Sequence, residues 1–404
     1  MQRTNLPPPG ELRPASPSRP INDDDHNAGG FPPSLSGNGR RAVWPGVTRL
    51  DGVIPETGGT EQAAGPLSRG RQHASGARRA DGGNVGPAGG AMRHHGPRFD
   101  TAVARNGYAW WYIDALSDDG AHGLTIIAFV GSVFSPYYAA SRRRGNGNPL
   151  DHCAVNVALY GPRGKYWALT ERREPSLSQT ASTLAIGQSA LNWDGDRLSI
   201  DIDELAVPRF VRLKGRITLY PQAVTSCATQ LDSGGRHHWW PIAPVARVEV
   251  DMQKPALRWN GSGYFDCNAG TRPLEKDFGD WTWSRSALPD GAAILYEARR
   301  RDGSNLSLAY RFDHAGHCQE FLPPLPAQLP STGWRVARVT RSDDVKQTGI
   351  VKTLEDTPFY ARSLVSSRLL GAPVISVHES LSLDRFDSRW VQTLLPFRMP
   401  RAFR

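Results

Sequence analysis

The stretch YAWWYIDALSDDG, Tyr108–Gly120, decides the fold class of this chain of 404 residues. It reads as one strand of aromatic and β-branched residues that ends in an Asp-Gly turn. A second stretch, DWTWSRSALPDG, Asp280–Gly291, repeats this pattern. Short runs of Trp, Tyr, Val and Ile follow each stretch, separated by turn residues at intervals of about 8–12 residues. This pattern predicts an all-β fold.

The two similar stretches also predict the domain organisation. Ladders of about eight strands bury one face and remove their open edges most simply by closing into barrels. We therefore predict two tandem lipocalin-like β-barrels, the first over residues 101–277 with the catalytic motifs and the second over residues 278–404. Coincidence is the alternative, since Trp and Asp-Gly are common in β proteins. Two local predictions are a final strand at Ser388–Phe397 and one or two short helices within Gln179–Gln188.

Residues 1–100 differ in composition from the rest. They contain 18 of the 41 glycines and 13 of the 32 prolines, and they lack apolar periodicity. We predict that they form a disordered extension.

Several classes of protein are excluded by what the sequence lacks. It has no run of 18 apolar residues for a membrane-spanning helix and no apolar segment near the start for export, which favours a cytoplasmic location. The net charge of +9 is spread along the chain without a nucleic-acid-binding motif, so we expect no nucleic-acid partner. No nucleotide-binding motif is present, and we expect no cofactor.

The candidate site combines two unusual runs. RHHWWP covers Arg236–Pro241, and GSGYFDCNAG covers Gly261–Gly270. Side chains alternate along a strand, so His237 and Trp239 share one face, and Tyr264 and Asp266 share another. If both faces point into one barrel mouth, an acid, an imidazole and two aromatic rings converge on an apolar pocket.

That set of residues suits the protonation of an alkene. An Asp surrounded by aromatic groups has a raised pKa and can serve as a general acid. Trp239 and Tyr264 present π faces to a carbocation, and His237 can hold or reload the proton. Cofactor-free hydration of an isoprenoid follows naturally from this chemistry.

Each of these residues also has an ordinary structural use. His237 and His238 fit the exposed end of a strand, and Trp239 and Trp240 fit core packing. Asp266, just before Asn268 and Gly270, fits the cap of a turn. A metal site of His237, His238 and Cys267 is disfavoured because adjacent His side chains on a strand diverge, so we expect no metal.

The chain resembles the carotenoid 1,2-hydratases of purple photosynthetic bacteria, also called hydroxyneurosporene synthases, from about Gly107 to Phe397. The first hundred residues lie outside the resemblance. It rests on long and unusual strings: GYAWWYIDALSDDG at Gly107–Gly120, FVGSVFSPYYAASRRRG at Phe129–Gly145, HHWWP at His237–Pro241, WNGSGYFDCNAG at Trp259–Gly270 and FGDWTWSR at Phe278–Arg285.

The resemblance implies addition of water across the terminal C1–C2 double bond of an acyclic carotenoid such as neurosporene or lycopene, without a cofactor. It also implies a two-domain lipocalin-like fold. It assigns the acid to Asp266 and catalytic roles to His237, Trp239 and Tyr264. The expected substrate-binding residues around them are Trp240, His238, Phe265 and Trp110.

Two other functions compete with this one. A lipocalin-like carrier binds a long apolar molecule without needing a protonated acid, whereas an assembly factor for the pigment apparatus leaves Asp266 without a task. For the hydratase, an insoluble substrate implies peripheral contact with the inner or photosynthetic membrane. We expect that contact near Phe134–Arg144, where exposed aromatic rings and arginines would meet anionic head groups.

Overall fold

The structure, a computed structural model, describes residues 96–402. In this part of the chain the fold is all-β with three short α-helices, which confirms the predicted fold class. The first sheet comprises β1 Tyr108–Ser117, β2 Gly123–Val130, β3 Cys153–Gly161, β4 Gly164–Leu169, β5 Leu177–Gln179, β6 Thr183–Ile186, β7 Ser189–Trp193, β8 Leu198–Ala206, β9 Val211–Pro221, β10 Thr229–Gln230, β11 His237–Lys254 and β12 Ala256–Gly270.

The remaining strands form a second sheet and a separate two-stranded ladder. In chain order they are β13 Phe278–Leu288, β14 Gly291–Arg300, β15 Asn305–Asp313, β16 Cys318–Glu320, β17 Leu325–Leu329, β18 Arg338–Ser342, β19 Gly349–Asp356, β20 Tyr360–Leu369 and β21 Ala372–Ser382. Strands β17 and β18 pair with each other, and the other seven strands make the second sheet. The helices are α1 Pro136–Arg143, α2 Leu383–Phe386 and α3 Arg389–Leu394.

The two sheets share one topology. In the first sheet the last strand, β12, pairs antiparallel with the first strand, β1. In the second sheet β21 pairs with β13 in the same way. Within residues 96–402, the first sheet has its two open edges at β4 and β5, which are not hydrogen-bonded to each other. The second sheet has its open edges at β16 and β19. Each sheet is therefore a curled meander with one seam.

The Trp-rich strand β1 is buried on both faces because it lies between two cores. Ala109, Trp111 and Ile113 belong to the core of the first sheet. The alternate residues Trp110 and Tyr112 belong to a second core, which also contains residues of the second sheet. We call this second cluster the inter-sheet core. From β13 it includes Trp281 and Trp283, and from β14 it includes Tyr296.

Two local predictions are wrong. Residues 388–397 contain α3 and a short turn instead of a strand, because Val391 and Leu395 are buried at the i, i+4 spacing of a helix. Residues 179–188 contain β6 instead of a helix, because Leu184 and Ile186 are buried in the alternation of a strand.

The predicted disordered segment 1–100 lies almost wholly outside the described residues. Its last five residues are described, and Phe99 is fully buried with its ring 5.2 Å from that of Trp111. The Phe99 backbone N–H also donates to the carbonyl oxygen of Ala181. The packed part of the chain therefore begins before residue 100.

Candidate functional site

Asp266 of β12 is almost completely buried beside the aromatic rings of the inter-sheet core. Its Oδ2 atom accepts one hydrogen bond from the Tyr264 hydroxyl at 2.7 Å and another from the Trp239 indole Nε1 at 2.9 Å. Its Oδ1 atom is buried and has no hydrogen-bond partner among the described residues. Burial raises the pKa of Asp266 to about 7, although these two hydrogen bonds oppose the shift. The carboxyl group can thus hold a proton near neutral pH, and Oδ1 is the oxygen available to carry it.

Strand pairing explains why these groups meet. Tyr264 and Asp266 are two residues apart on β12, so both side chains lie on the same face. Trp239 of β11 pairs with Asn268 of β12, the next residue along that face. Alternation along each strand and the register between β11 and β12 therefore bring together the acid and its two donors.

Aromatic rings surround this carboxyl group and its donors. The Tyr264 ring lies 5.1 Å from that of Trp283, and the Trp239 ring lies 5.1 Å from that of Tyr296. Trp283 and Tyr296 come from the second sheet, so both sheets contribute to the site. A cation formed here would meet several π faces, each of which stabilises it by roughly 0.5–2 kcal/mol.

His237 is fully buried on the same face as Trp239, but its hydrogen bonds go elsewhere. Its Nδ1 lies 3.0 Å from the Tyr108 hydroxyl, and its Nε2 lies 2.9 Å from Oδ2 of Asp277. Because a carboxylate only accepts, Nε2–H is the donor to Asp277. Burial lowers the pKa of His237, and the neutral ring then accepts from Tyr108 at Nδ1. The expected contact between His237 and Asp266 is not among these hydrogen bonds.

The structure separates three of the four expected substrate-binding residues from Asp266. Trp240 and Phe265 lie on the opposite face, in the core of the first sheet. His238 is half-buried, and because it directly follows His237 on β11 its side chain points to the face opposite Asp266. Trp110 is the exception, because it lies in the inter-sheet core and pairs with Asn268. The alternation of strand side chains is the physical reason for this division.

A buried network of charged groups lies beside the site, and the sequence did not predict it beyond leaving open whether Asp114 lines the pocket. Arg285 of β13 donates two hydrogen bonds of 3.2 Å to Asp114 of β1. Arg362 of β20 forms an ion pair of 3.1 Å with the same Asp114 and donates at 2.6 Å to the Tyr112 hydroxyl. Both arginines are buried. Charged residues at inward positions of apolar strands were the signal that could have found this network.

Glu379 of β21 completes the network. Its Oε1 accepts from the Tyr112 hydroxyl at 2.8 Å and from Arg362. Tyr112 is in turn the cross-strand partner of Asp266. The negative charge of Glu379 also helps to raise the pKa of Asp266, after the larger effect of burial. Glu379 is therefore a second carboxyl group close to the acid.

A cavity of about 430 Å³ adjoins the site between the two sheets. Trp110, Tyr112 and Glu379 line its inner part, whereas Trp334 and Phe397, both exposed, line its outer part. The cavity thus connects the inter-sheet core with the protein surface. Its lining includes Tyr112, the cross-strand partner of Asp266, but not Asp266 itself.

The described part of the chain shows no metal-binding group and no spanning helix. Within residues 96–402, no three His, Cys, Asp or Glu side chains are placed to hold a metal ion. None of the helices there is long and apolar enough to cross a membrane.

A buried acid with a free oxygen, surrounded by aromatic rings and next to a largely apolar cavity, is suited to protonating a carbon–carbon double bond. Comparison with known proteins agrees. The model of the family described as carotenoid hydratase CrtC matches residues 126–404. The chain belongs to this family. The predicted resemblance is confirmed, and so is the prediction that the chain is an enzyme of the hydro-lyase class.

Carotenoid hydratase relatives match nearly the whole chain. An acyclic carotenoid 1,2-hydratase of Thiocapsa roseopersicina is 53% identical over 395 residues, which cover 98% of each chain. A protein of the same name from Rubrivivax gelatinosus is 45% identical over 393 residues, 96% of this chain and 97% of its own. The expectation that the first hundred residues lie outside the resemblance is therefore wrong.

Proposed function

We propose that the protein adds water across the terminal C1–C2 double bond of an acyclic carotenoid such as neurosporene or lycopene and yields the 1-hydroxy product. The names of the relatives support this substrate class. The observation that carries the chemistry is the buried Asp266, whose pKa is raised to about 7 and whose Oδ1 has no hydrogen-bond partner within residues 96–402. The acid and water supply every atom that the reaction needs, so the proposal requires no cofactor.

In the first step the Asp266 carboxyl group delivers its Oδ1 proton to C2 of the isoprenoid end. The π electrons of the double bond form the new C–H bond and leave a tertiary cation at C1. The rings of Trp239, Tyr264 and Trp283 stabilise this cation while Asp266 becomes a carboxylate. General acid catalysis of this kind contributes roughly 10²–10⁴-fold to the rate.

In the second step water attacks C1 and loses a proton. We assign the acceptance of that proton to Glu379, because it lines the cavity and is held by Tyr112 and Arg362. From the sequence His237 was expected to play this part, but both of its ring nitrogens are engaged with Tyr108 and Asp277. Proton transfer from Glu379 through solvent to Asp266 restores the starting state.

The cavity is proposed to hold one end of the carotenoid. Its lining is mostly apolar and includes Trp110, Phe129 and Trp281. Since the lining includes Tyr112 and not its cross-strand partner Asp266, the proposal requires the Tyr112 ring to shift when the substrate end enters.

We also infer that each sheet is a lipocalin-like barrel with one seam, as the sequence predicted. The pairing of first and last strands in both sheets supports this inference. The domain boundary at residue 278 stays a prediction, as do the cytoplasmic location and the peripheral membrane contact.

One experiment separates the hydratase from the carrier. Purified protein is incubated with lycopene or neurosporene in detergent micelles, and products are analysed for the mass of one added water. Asp266→Asn keeps the shape of the side chain but removes the acid, so turnover should fall by roughly 10²–10⁴-fold. The surface variant Asp201→Asn is the matched control. A carrier would form no product, and full activity of Asp266→Asn would show that another group is the acid.

A further inference from the structure

The outer end of the cavity is surrounded by exposed apolar side chains. We call this set the apolar rim, and it consists of Trp334, Trp390, Leu394 and Phe397. Each is at least 46% exposed, and Phe397 reaches 75%. The rings of Trp334 and Trp390 stack with centroids 6.2 Å apart. Large apolar side chains clustered at a surface usually mark an interaction site.

The rim is continuous with the cavity. Trp334, Leu394 and Phe397 belong to its lining and are exposed at the same time, so the cavity opens to the outside between them. A molecule that rests on the rim therefore has a direct path to Tyr112 and Glu379, which line the inner part.

Two exposed arginines lie beside the two tryptophans of the rim. The other arginines of residues 385–401 are only partly exposed and make contacts within the protein. Arg389 is exposed next to Trp390 in α3, and Arg335 is exposed next to Trp334. Exposed Trp and Leu side chains beside arginines are typical of segments that lie in the interface of an anionic bilayer.

We propose that the apolar rim docks on the surface of an anionic lipid bilayer and that the carotenoid enters the cavity there. This inference rests on the proposed function, because a long apolar carotenoid is insoluble in water and has to be taken from a membrane. The rim residues enter the apolar part of the interface, and the exposed Arg335 and Arg389 contact lipid phosphates.

The region Phe134–Arg144, expected from the sequence as the membrane contact, fits this role less well. Phe134 lines the cavity and is only partly exposed. Arg142 is largely buried in an ion pair of 3.0 Å with Glu275. Most of α1 is thus used in packing, although Arg143 and Arg144 are exposed.

The test is flotation of the full-length protein with vesicles of phosphatidylglycerol and phosphatidylcholine in equal amounts, without carotenoid. Wild type should float with these vesicles and less with pure phosphatidylcholine or at high salt. The double variant Trp390→Ser, Phe397→Ser should lower the vesicle-bound fraction by roughly tenfold or more. Phe210→Ser is the matched control, because Phe210 is 73% exposed and lies outside the rim.

Three outcomes would overturn the proposal: wild type that stays out of the lipid fraction, rim variants that float like wild type, or equal losses in rim and control variants. If vesicle binding is lost only in the double variant Arg143→Gln, Arg144→Gln, the membrane contact lies at Phe134–Arg144 instead. Hydration in detergent micelles is measured in parallel and needs no vesicle, so failure of the proposed function shows there while failure of the docking surface shows in flotation.

Discussion

Tyr112 and Asp266 are direct cross-strand partners in the β1–β12 ladder, yet their polar ends belong to different groups. The Tyr112 hydroxyl donates to Glu379 of the second sheet, whereas Asp266 accepts from Tyr264 and Trp239 of the first. One ladder position thus connects the proposed acid with the proposed acceptor of the water proton. This relationship leads to predictions that distinguish the two carboxyl groups.

The pH dependence of stability should show the cost of burying Asp266. The pKa of the folded state, about 7, lies above the value of about 3.9 for an unfolded Asp. The stabilisation from this group is therefore fully present below about pH 4 and is lost as the pH rises through about 7. One pKa unit corresponds to about 1.4 kcal/mol, so the loss amounts to a few kcal/mol.

Urea unfolding of wild type and Asp266→Asn between pH 4 and 8 measures this effect. As the pH rises, the free energy of unfolding of wild type should fall relative to that of Asp266→Asn, because only wild type must bury a carboxylate. A difference that does not change with pH would contradict the raised pKa.

Tyr264→Phe should move the pH profile of turnover to higher pH. The Tyr264 hydroxyl lowers the pKa of Asp266 by donating to its Oδ2, so removal of that donor raises the pKa further. The pH midpoint of kcat is the measurement. Tyr220→Phe removes a comparable bond to the surface Glu249 and should leave the midpoint unchanged. A midpoint that moves to lower pH would argue against Asp266 as the acid.

Glu379→Gln should slow the capture of water without blocking protonation of the substrate. In D₂O the cation formed by Asp266 can lose a proton again and return an alkene that carries deuterium at C2. We expect less alcohol, by roughly 10²–10⁴-fold if Glu379 is the base, but continued deuterium uptake into recovered substrate.

The matched controls for Glu379→Gln are Asp266→Asn, which should lose both reactions, and the surface variant Glu249→Gln, which should lose neither. Mass spectrometry of product and recovered substrate gives both rates. Unchanged alcohol formation in Glu379→Gln would remove this residue from the mechanism.

His237→Phe should reduce stability more than it changes the chemistry. The variant leaves the buried Tyr108 hydroxyl without its partner, which costs about 1–3 kcal/mol. Asp277 keeps ion pairs with Arg236 and Arg272. The melting temperature should therefore fall, while the pH midpoint of kcat should stay in place.

His237→Gln offers an amide with both a donor and an acceptor and should recover part of the lost stability. A shifted pH midpoint in His237→Phe at unchanged melting temperature would return His237 to the proton path.

The sequence alone determined the all-β class and the two pairs of side chains that share a strand face, His237 with Trp239 and Tyr264 with Asp266. These follow from local rules, since alternation fixes which side chains of one strand share a face and turn residues fix where strands end. Alternation also predicted that His238 and Trp240 point to the other face of their strand. The register between β11 and β12, which brings Trp239 to Asp266, came only from the structure. Only the structure showed that Trp240 and Phe265 face a different core from Trp239 and Asp266.

The tertiary structure decided which groups meet across the two sheets. Glu379 lies 113 positions after Asp266 in the sequence, and no pattern in either segment specifies the packing of one sheet on the other. The partners of His237 were not predictable either, because Tyr108 lies on β1 and Asp277 just before β13, and no local pattern specifies how distant strands and segments come together. Side-chain direction is a property of one strand, whereas contacts between sheets depend on how both curl and pack.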